Sequence, residues 1–122
     1  QVDHEKTIEL IKNSDVLFQP SLSEGISTTI LESMVHKTCV LTSNIGGNVE
    51  LIEHKKSGIL INPLDYNSFL KEMIILLDNP ILRKQLSESA YEKSKEFYWK
   101  VIGQKYLELY NALLDKSTNN LQ

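Results

Sequence analysis

The sequence predicts an α/β fold: a partial parallel sheet of about three strands, helices on both of its faces, and a helical C-terminal extension. Three observations carry that reading. In the first half of the chain, short β-rich apolar runs alternate with segments of helical period. Each run is bounded by loops holding Pro, Gly, Ser or Asn. From Asp65 onward every periodic segment is helical. Strands that alternate with helices pair in parallel, because each helix carries the chain back to the end of the sheet where the next strand starts.

The elements follow in order. His4 to Asn13 is a helix, with Ile8 and Ile11 inward and Leu10 beside them. Asp15-Val16-Leu17-Phe18-Gln19 is an apolar run closed by Pro20 and reads as a buried strand. Pro20 to Gly25 is a loop, and a helix over about Ser27 to His36 carries Leu31, Met34 and Val35 as its stripe. Thr38 to Thr42 is the second strand. Ser43 to Gly47 is a loop in which Gly46 and Gly47 can take positive φ. Asn48 to Glu53 is a short helix, and Gly58 to Asn62 is a third strand stopped by Pro63.

Asp65 then caps a helix with Tyr66, Phe69, Leu70, Met73, Ile74 and Leu77 on one broad face. Asn79-Pro80 supplies the cap and first turn of the next helix, which buries Leu82, Leu86, Ala90 and Phe97. A last helix over residues 99–114 presents Ile102, Tyr106, Leu109, Tyr110 and Leu113. Residues 1–115 form the domain proper, and Lys116 to Gln122 reads as a frayed polar tail.

Composition narrows the function. A chain of 122 residues is one domain or a piece of one. Three strands are few for a doubly wound sheet, and the chain opens within a helix and without Met, so a fragment lacking N-terminal strands is expected. The net charge of −3 does not suit nucleic acid, which favours clustered Lys and Arg. Cys39 alone cannot form an internal disulfide, which fits a reducing, cytoplasmic compartment. It reads as a small buried strand residue. His4, His36 and His54 lack metal-ligand spacing and read as surface residues.

In open parallel sheets, ligands bind where strands end at their carboxyl side. Two loops sit there: Ser21 to Ser27, and Ser43 to Asn48. The first opens a helix, so the amides near Gly25, Ile26, Ser27 and Thr28 can receive an anion or a polar sugar. The Glu24 carboxylate repels phosphate but accepts from hydroxyls, which suits the sugar side of a nucleotide sugar. Glu32 lies about two helical turns further on, and its two oxygens can accept from the vicinal hydroxyls of a ribose.

Glu24-Gly25-Ile26-Ser27-Thr28-Thr29-Ile30-Leu31-Glu32 resembles the Glu-seven-residues-Glu motif of family 4 glycosyltransferases. Its setting is similar too, with Asp15 to Ser21 before it and Leu31-Glu32-Ser33-Met34 within it. Gly46-Gly47-Asn48-Val49-Glu50 is similar to that family's Gly-Gly-x-x-Glu loop. Ser57-Gly58-Ile59-Leu60-Ile61-Asn62-Pro63-Leu64-Asp65 is similar to its Gly-x-Leu-Val-x-Pro-x-Asp stretch.

The resemblance implies half of the C-terminal, Rossmann-like lobe of a two-lobed GT-B enzyme. It implies transfer of a sugar from a nucleotide donor with retention of configuration, with no required metal or other cofactor. Glu24 is then the candidate catalytic residue and donor-sugar contact. Gly25, Ile26 and Ser27 bind sugar and phosphate through their amides, Glu32 holds the ribose, and Gly46 and Gly47 are candidate loop contacts. The implied partners are the nucleotide-sugar donor and an N-terminal acceptor lobe, which is also the route to any association with the cytoplasmic membrane face. An upstream Arg and Lys that neutralise the diphosphate are expected before Gln1, so the isolated fragment is expected to be inactive.

The sequence departs from the family at Lys37, where glycine is common, and at Cys39 and Val49, where proline is common. Plainer readings stand beside the functional ones. Glu32 fits a capping box begun by Thr29, Glu24 a solvated loop acid, Gly46-Gly47 a turn, and Glu50 a helix-dipole partner. A nucleotide-sugar epimerase lobe and a non-catalytic module of the same fold are the rival functions.

Overall fold

The middle strand organises the molecule. The computed structural model describes residues 3–119. Its elements are α1 (His4–Lys12), β1 (Val16–Gln19), α2 (Thr28–Val35), β2 (Cys39–Ser43), α3 (Asn48–Leu51) and β3 (Ile59–Ile61), then α4 (Tyr66–Asp78), α5 (Pro80–Ser94), a 3-10 turn (Lys95–Phe97) and α6 (Trp99–Asn119). The strands form one sheet in the order β1-β2-β3. Both pairings are parallel, with Val16 opposite Cys39 and Leu41 opposite Ile59. The sheet and its connections are those the alternating pattern predicts.

Every residue of β2 is buried, and successive side chains feed opposite layers. Cys39 and Leu41 join Ile59, Ile61, Phe69, Leu76 and Leu86 on one face. Val40 joins Ile30, Met34, Leu51, Ile52 and Ala90 on the other. Helices therefore cover both faces, and α5 belongs to both layers through Leu86 and Ala90.

Short polar bonds fix the helix ends. Asp3, Ser27, Asp65 and Asn79 cap α1, α2, α4 and α5. The Ser68 hydroxyl and amide hold the Asp65 carboxyl below its ordinary range. Arg83 donates to the Leu76 and Leu77 carbonyls at 2.6 and 2.8 Å and pairs with Asp15 at 3.0 Å. It thereby closes the end of α4 and ties α5 to the chain just before β1.

Several sequence expectations change. The inward face of α2 is Ile30, Ser33 and Met34, while Val35 is exposed. Ile30 and Met34 pack with Val40 of β2 and Ala90 of α5. Only Phe69 and Leu76 of α4 are buried; Tyr66, Leu70, Ile74 and Leu77 are exposed. A three-stranded sheet is only about 10 Å across between its outer strands, close to one helix diameter, so it cannot cover a broad stripe. Leu10 and the aromatic stripe of α6 are likewise exposed, and α3 ends two residues early. Helix α6 continues to Asn119, past the expected end at Leu114; residues 120–122 of the expected tail lie outside the described residues.

Lys37, which stands where the resemblance expects a glycine, adopts the left-handed conformation at φ 57°. Its amide bonds the Met34 carbonyl and the Thr38 amide bonds the Ser33 carbonyl, which is a Schellman closure of α2. The strain costs about 1 kcal/mol over glycine. Against it, the Lys37 ammonium lies 4.8 Å from the Tyr91 ring centre, a contact that contributes roughly 0.5–1 kcal/mol. Lys37→Gly is therefore expected to change stability by less than ~0.5 kcal/mol in the natural background. In a Tyr91→Leu background it is expected to gain the full ~1 kcal/mol, and urea denaturation of the four proteins checks the difference.

Candidate functional site

The two loops singled out by sequence meet at the carboxyl end of the sheet. Their foundation is a chain of buried polar bonds. The Thr42 hydroxyl donates to the Gln19 carbonyl at 2.8 Å, tying β2 to the last residue of β1. Asn48, fully buried, donates through Nδ2 to the Thr42 hydroxyl oxygen and to the Ser43 carbonyl, both at 3.1 Å. Asn48 Oδ1 and Ser43 Oγ are buried without a partner among the described residues.

The second loop then packs directly on the first. The Gly47 amide donates to the Gly25 carbonyl at 3.2 Å. Gly46 takes φ +46°, and a Cβ there would run into the Glu24 carbonyl oxygen. A Cβ on Gly47 would come within 2.6 Å of the Gly25 carbonyl oxygen. These glycines are more than a turn: they let one backbone lie against another.

Glu24 is partly buried and is not a solvated loop acid. Its Oε1 accepts from Gln19 Nε2 at 2.8 Å and from the Ser21 hydroxyl at 2.8 Å. Gln19 Oε1 in turn accepts from the Ser27 hydroxyl at 3.2 Å. Ser27 is buried and caps α2, accepting from the Ile30 amide at 3.3 Å. The amides of Gly25, Ile26 and Ser27 have no acceptor among the described residues, so they remain available at the positive end of α2. Gly25 is exposed, and a Cβ on it would meet nothing within 4 Å. The protein itself gives no steric reason for glycine there.

Glu32 lies eight residues after Glu24, but only its own half of that span is helical: it is the fifth residue of α2, between one and two turns past the Ser27 cap, and Glu24 lies in the loop before the helix. With the cap at Ser27, the third helical position is Ile30, so the capping-box reading of Glu32 does not apply. Its carboxylate is a quarter exposed and lies 3.5 Å from His4 Nδ1 of α1. Glu50 stands exposed in the first turn of α3, where the helix dipole accounts for it. The sequence reading missed Gln19 and Ser21; the available signal was a lone amide at the end of an apolar strand, two residues before the first hydroxyl of the loop. His54 is exposed, as the sequence reading has it, and its Nδ1 accepts from the Leu60 amide at 3.0 Å; His36 is half-buried at the end of α2.

Residues 1–93 match the family described as glycosyl transferases group 1. The chain belongs to that family. This group 1 glycosyl transferase chain is 26% identical over 107 residues to N,N'-diacetylbacillosaminyl-diphospho-undecaprenol alpha-1,3-N-acetylgalactosaminyltransferase of Campylobacter jejuni, covering 88% of this chain and 28% of the relative. It is 36% identical over 73 residues to UDP-Gal:alpha-D-GlcNAc-diphosphoundecaprenol alpha-1,3-galactosyltransferase of Escherichia coli, covering 60% of this chain and 19% of the relative. Sucrose-phosphate synthase from Thermosynechococcus elongatus superposes with a TM-score of 0.82 at 26% identity, over 95% of this chain and 29% of that one. S. aureus TarM, solved with UDP, fondaparinux and alpha-GlcNAc-glycerol, superposes with a TM-score of 0.76 at 23% identity, over 87% and 22%. These neighbours are GT-B glycosyltransferases. The chain spans about 30% of the length of the curated relatives it matches. Among its described residues, no helix is long and apolar enough to cross a membrane.

The glycine contacts and the cysteine give checks on this geometry. Gly46→Ala is expected to lower stability by about 2 kcal/mol or more, since backbone cannot yield as a side chain does; a thermal melt measures it. Burial pushes the Cys39 thiol up to about 11, with Arg83 opposing the shift. A raised value leaves less thiolate at every pH below it, so at pH 8 iodoacetamide is expected to label native Cys39 at least ~100-fold more slowly than the urea-unfolded chain.

Proposed function

We propose that this chain is the donor-binding portion of a retaining, family 4 type glycosyltransferase that takes its sugar from a nucleoside-diphosphate sugar. The observation that carries the reading is the open Gly25. A glycine with free amides, no steric neighbour and a half-buried carboxylate beside it suits close approach by a ligand from outside. The amides of Gly25, Ile26 and Ser27 face the developing phosphate charge. Glu24, as the catalytic residue, accepts from the donor sugar's hydroxyls, and Glu32 accepts from the ribose. Gly46 and Gly47 hold the second loop against the first and border the sugar.

The diphosphate leaving group needs cations. Residues 13–36 and 38–54, which include both loops, contain no Lys or Arg, so that charge has to come from elsewhere in the full-length protein. No metal or other cofactor is assigned to this reading. The names of the Campylobacter and Escherichia relatives specify diphospho-undecaprenol-linked acceptors. A lipid-linked acceptor, met at the cytoplasmic membrane face through an acceptor lobe, is the reading this favours, with polysaccharide assembly as its setting.

The Gly25 and Gly46 sites separate folding from binding. Gly25→Ala in the full-length protein is expected to leave the melting temperature within a degree and reduce donor turnover at least tenfold, whereas Gly46→Ala lowers both. Glu24→Ala is expected to reduce turnover at least a hundredfold, the scale seen when a transition-state contact is removed. The 122-residue chain alone is expected to show no transfer. Unchanged turnover in Gly25→Ala and Glu24→Ala would sink the assignment, and release of a free epimer in place of a glycosylated acceptor would move the protein to another reaction class.

A further inference from the structure

We infer that Gln19 is the positioning residue of this site: its side-chain amide sets the Glu24 carboxylate in register with the start of α2. The inference rests on the reading of Glu24 as a donor-sugar contact. Gln19 is the last residue of β1, and its backbone is fixed by the bond from Thr42 to its carbonyl. Its side chain has a donor end and an acceptor end, and each end meets the matching partner. Nε2 donates to Glu24 Oε1 at 2.8 Å and reaches Ser21 Oγ at 3.4 Å. Oε1 accepts from Ser27 Oγ at 3.2 Å. One amide thus bridges the acid and the helix cap.

The Ser21 hydroxyl donates to that same Glu24 Oε1. Both donors converge on one oxygen, and Oε2 has no donor among the described residues. The second oxygen is the one left to accept from a sugar hydroxyl. A free glutamate side chain has three rotatable bonds to order when a ligand arrives. Here the ordering precedes binding, so the contact forms without that entropic loss. Ser27 caps α2 by accepting from the Ile30 amide, a bond separate from the one it donates to Gln19. Gln19 therefore acts on the carboxylate and not on the helix.

The test uses the full-length protein and calorimetry with UDP and UDP-glucose, GDP and GDP-mannose, and ADP and ADP-glucose as probe pairs. Gln19→Met fills the same space without either bond. It is expected to weaken the nucleotide sugar about tenfold, as expected for losing a hydrogen bond to a charged group, and to leave the matching nucleoside diphosphate unchanged. Gln19→Glu places a second carboxyl against Glu24. Its loss is expected to be larger at pH 8 and to recover as pH falls, because one shared proton restores the donor; Gln19→Met has no such recovery. Equal losses for sugar and diphosphate would show a merely structural role and overturn the inference. So would an unaffected Gln19→Met in a protein whose Glu24→Gln variant loses sugar affinity, an outcome that leaves the Glu24 reading standing. If Glu24→Gln changes nothing, or no pair binds, the site reading fails and the inference falls with it.

Discussion

The hydrogen bond from the Thr42 hydroxyl to the Gln19 carbonyl is the constraint on which the site depends. Parallel strands usually end independently, each followed by a loop with its own freedom. Here a buried hydroxyl on the central strand reaches the last carbonyl of its neighbour, and Asn48 binds that hydroxyl from the far side of the second loop. Both loops therefore start from one fixed point. Their backbones then close on each other at Gly25 and Gly47, and Glu24 is presented from a platform made of sheet and not from a free loop. A carboxylate meant to recognise hydroxyl geometry benefits from that rigidity, because its contacts hold only within a few tenths of an ångström.

The same strand explains why the chemistry lies at this end. β2 spends its alternate residues on two apolar layers until Thr42 and Ser43, where the side chains turn polar though they stay buried. Burial of polar groups requires partners, and Thr42 finds them in Gln19 and Asn48. At the opposite end, Arg83 and Asp15 play a purely closing part, joining α4, α5 and the entry to β1. One end of the sheet is locked by an ion pair and carbonyl bonds, and the other is left with unpaired amides.

Much of this was legible in the residues. The strands and helices followed from period and punctuation, and the paired loops from the rule that ligands bind at strand carboxyl ends. The left-handed backbone of Lys37 was legible from the resemblance, which puts a glycine at that position. What the sequence could not reveal was which apolar residues found something to pack on. Leu70, Ile74 and Tyr106 carry helical spacing as regular as that of Phe69 and Leu76, yet they are exposed. Periodicity reports that a face is apolar, not that a layer exists to receive it. Gln19 was opaque for a different reason: a polar residue ending a strand looks like punctuation, and its bonds to Glu24 and Ser27 cross separations of five and eight residues.

The two outer edges of the sheet are unequal. On β3, the His54 ring occupies the Leu60 amide and a bridge joins His54 to Gly58, so that side is already closed by the chain's own loop. On β1, no described residue pairs with the outer edge. Among the described residues, the open edge is therefore the one on β1. A strand joining there would lie beside the segment that ends in Gln19, whose carbonyl the Thr42 hydroxyl already holds from the side of the central strand.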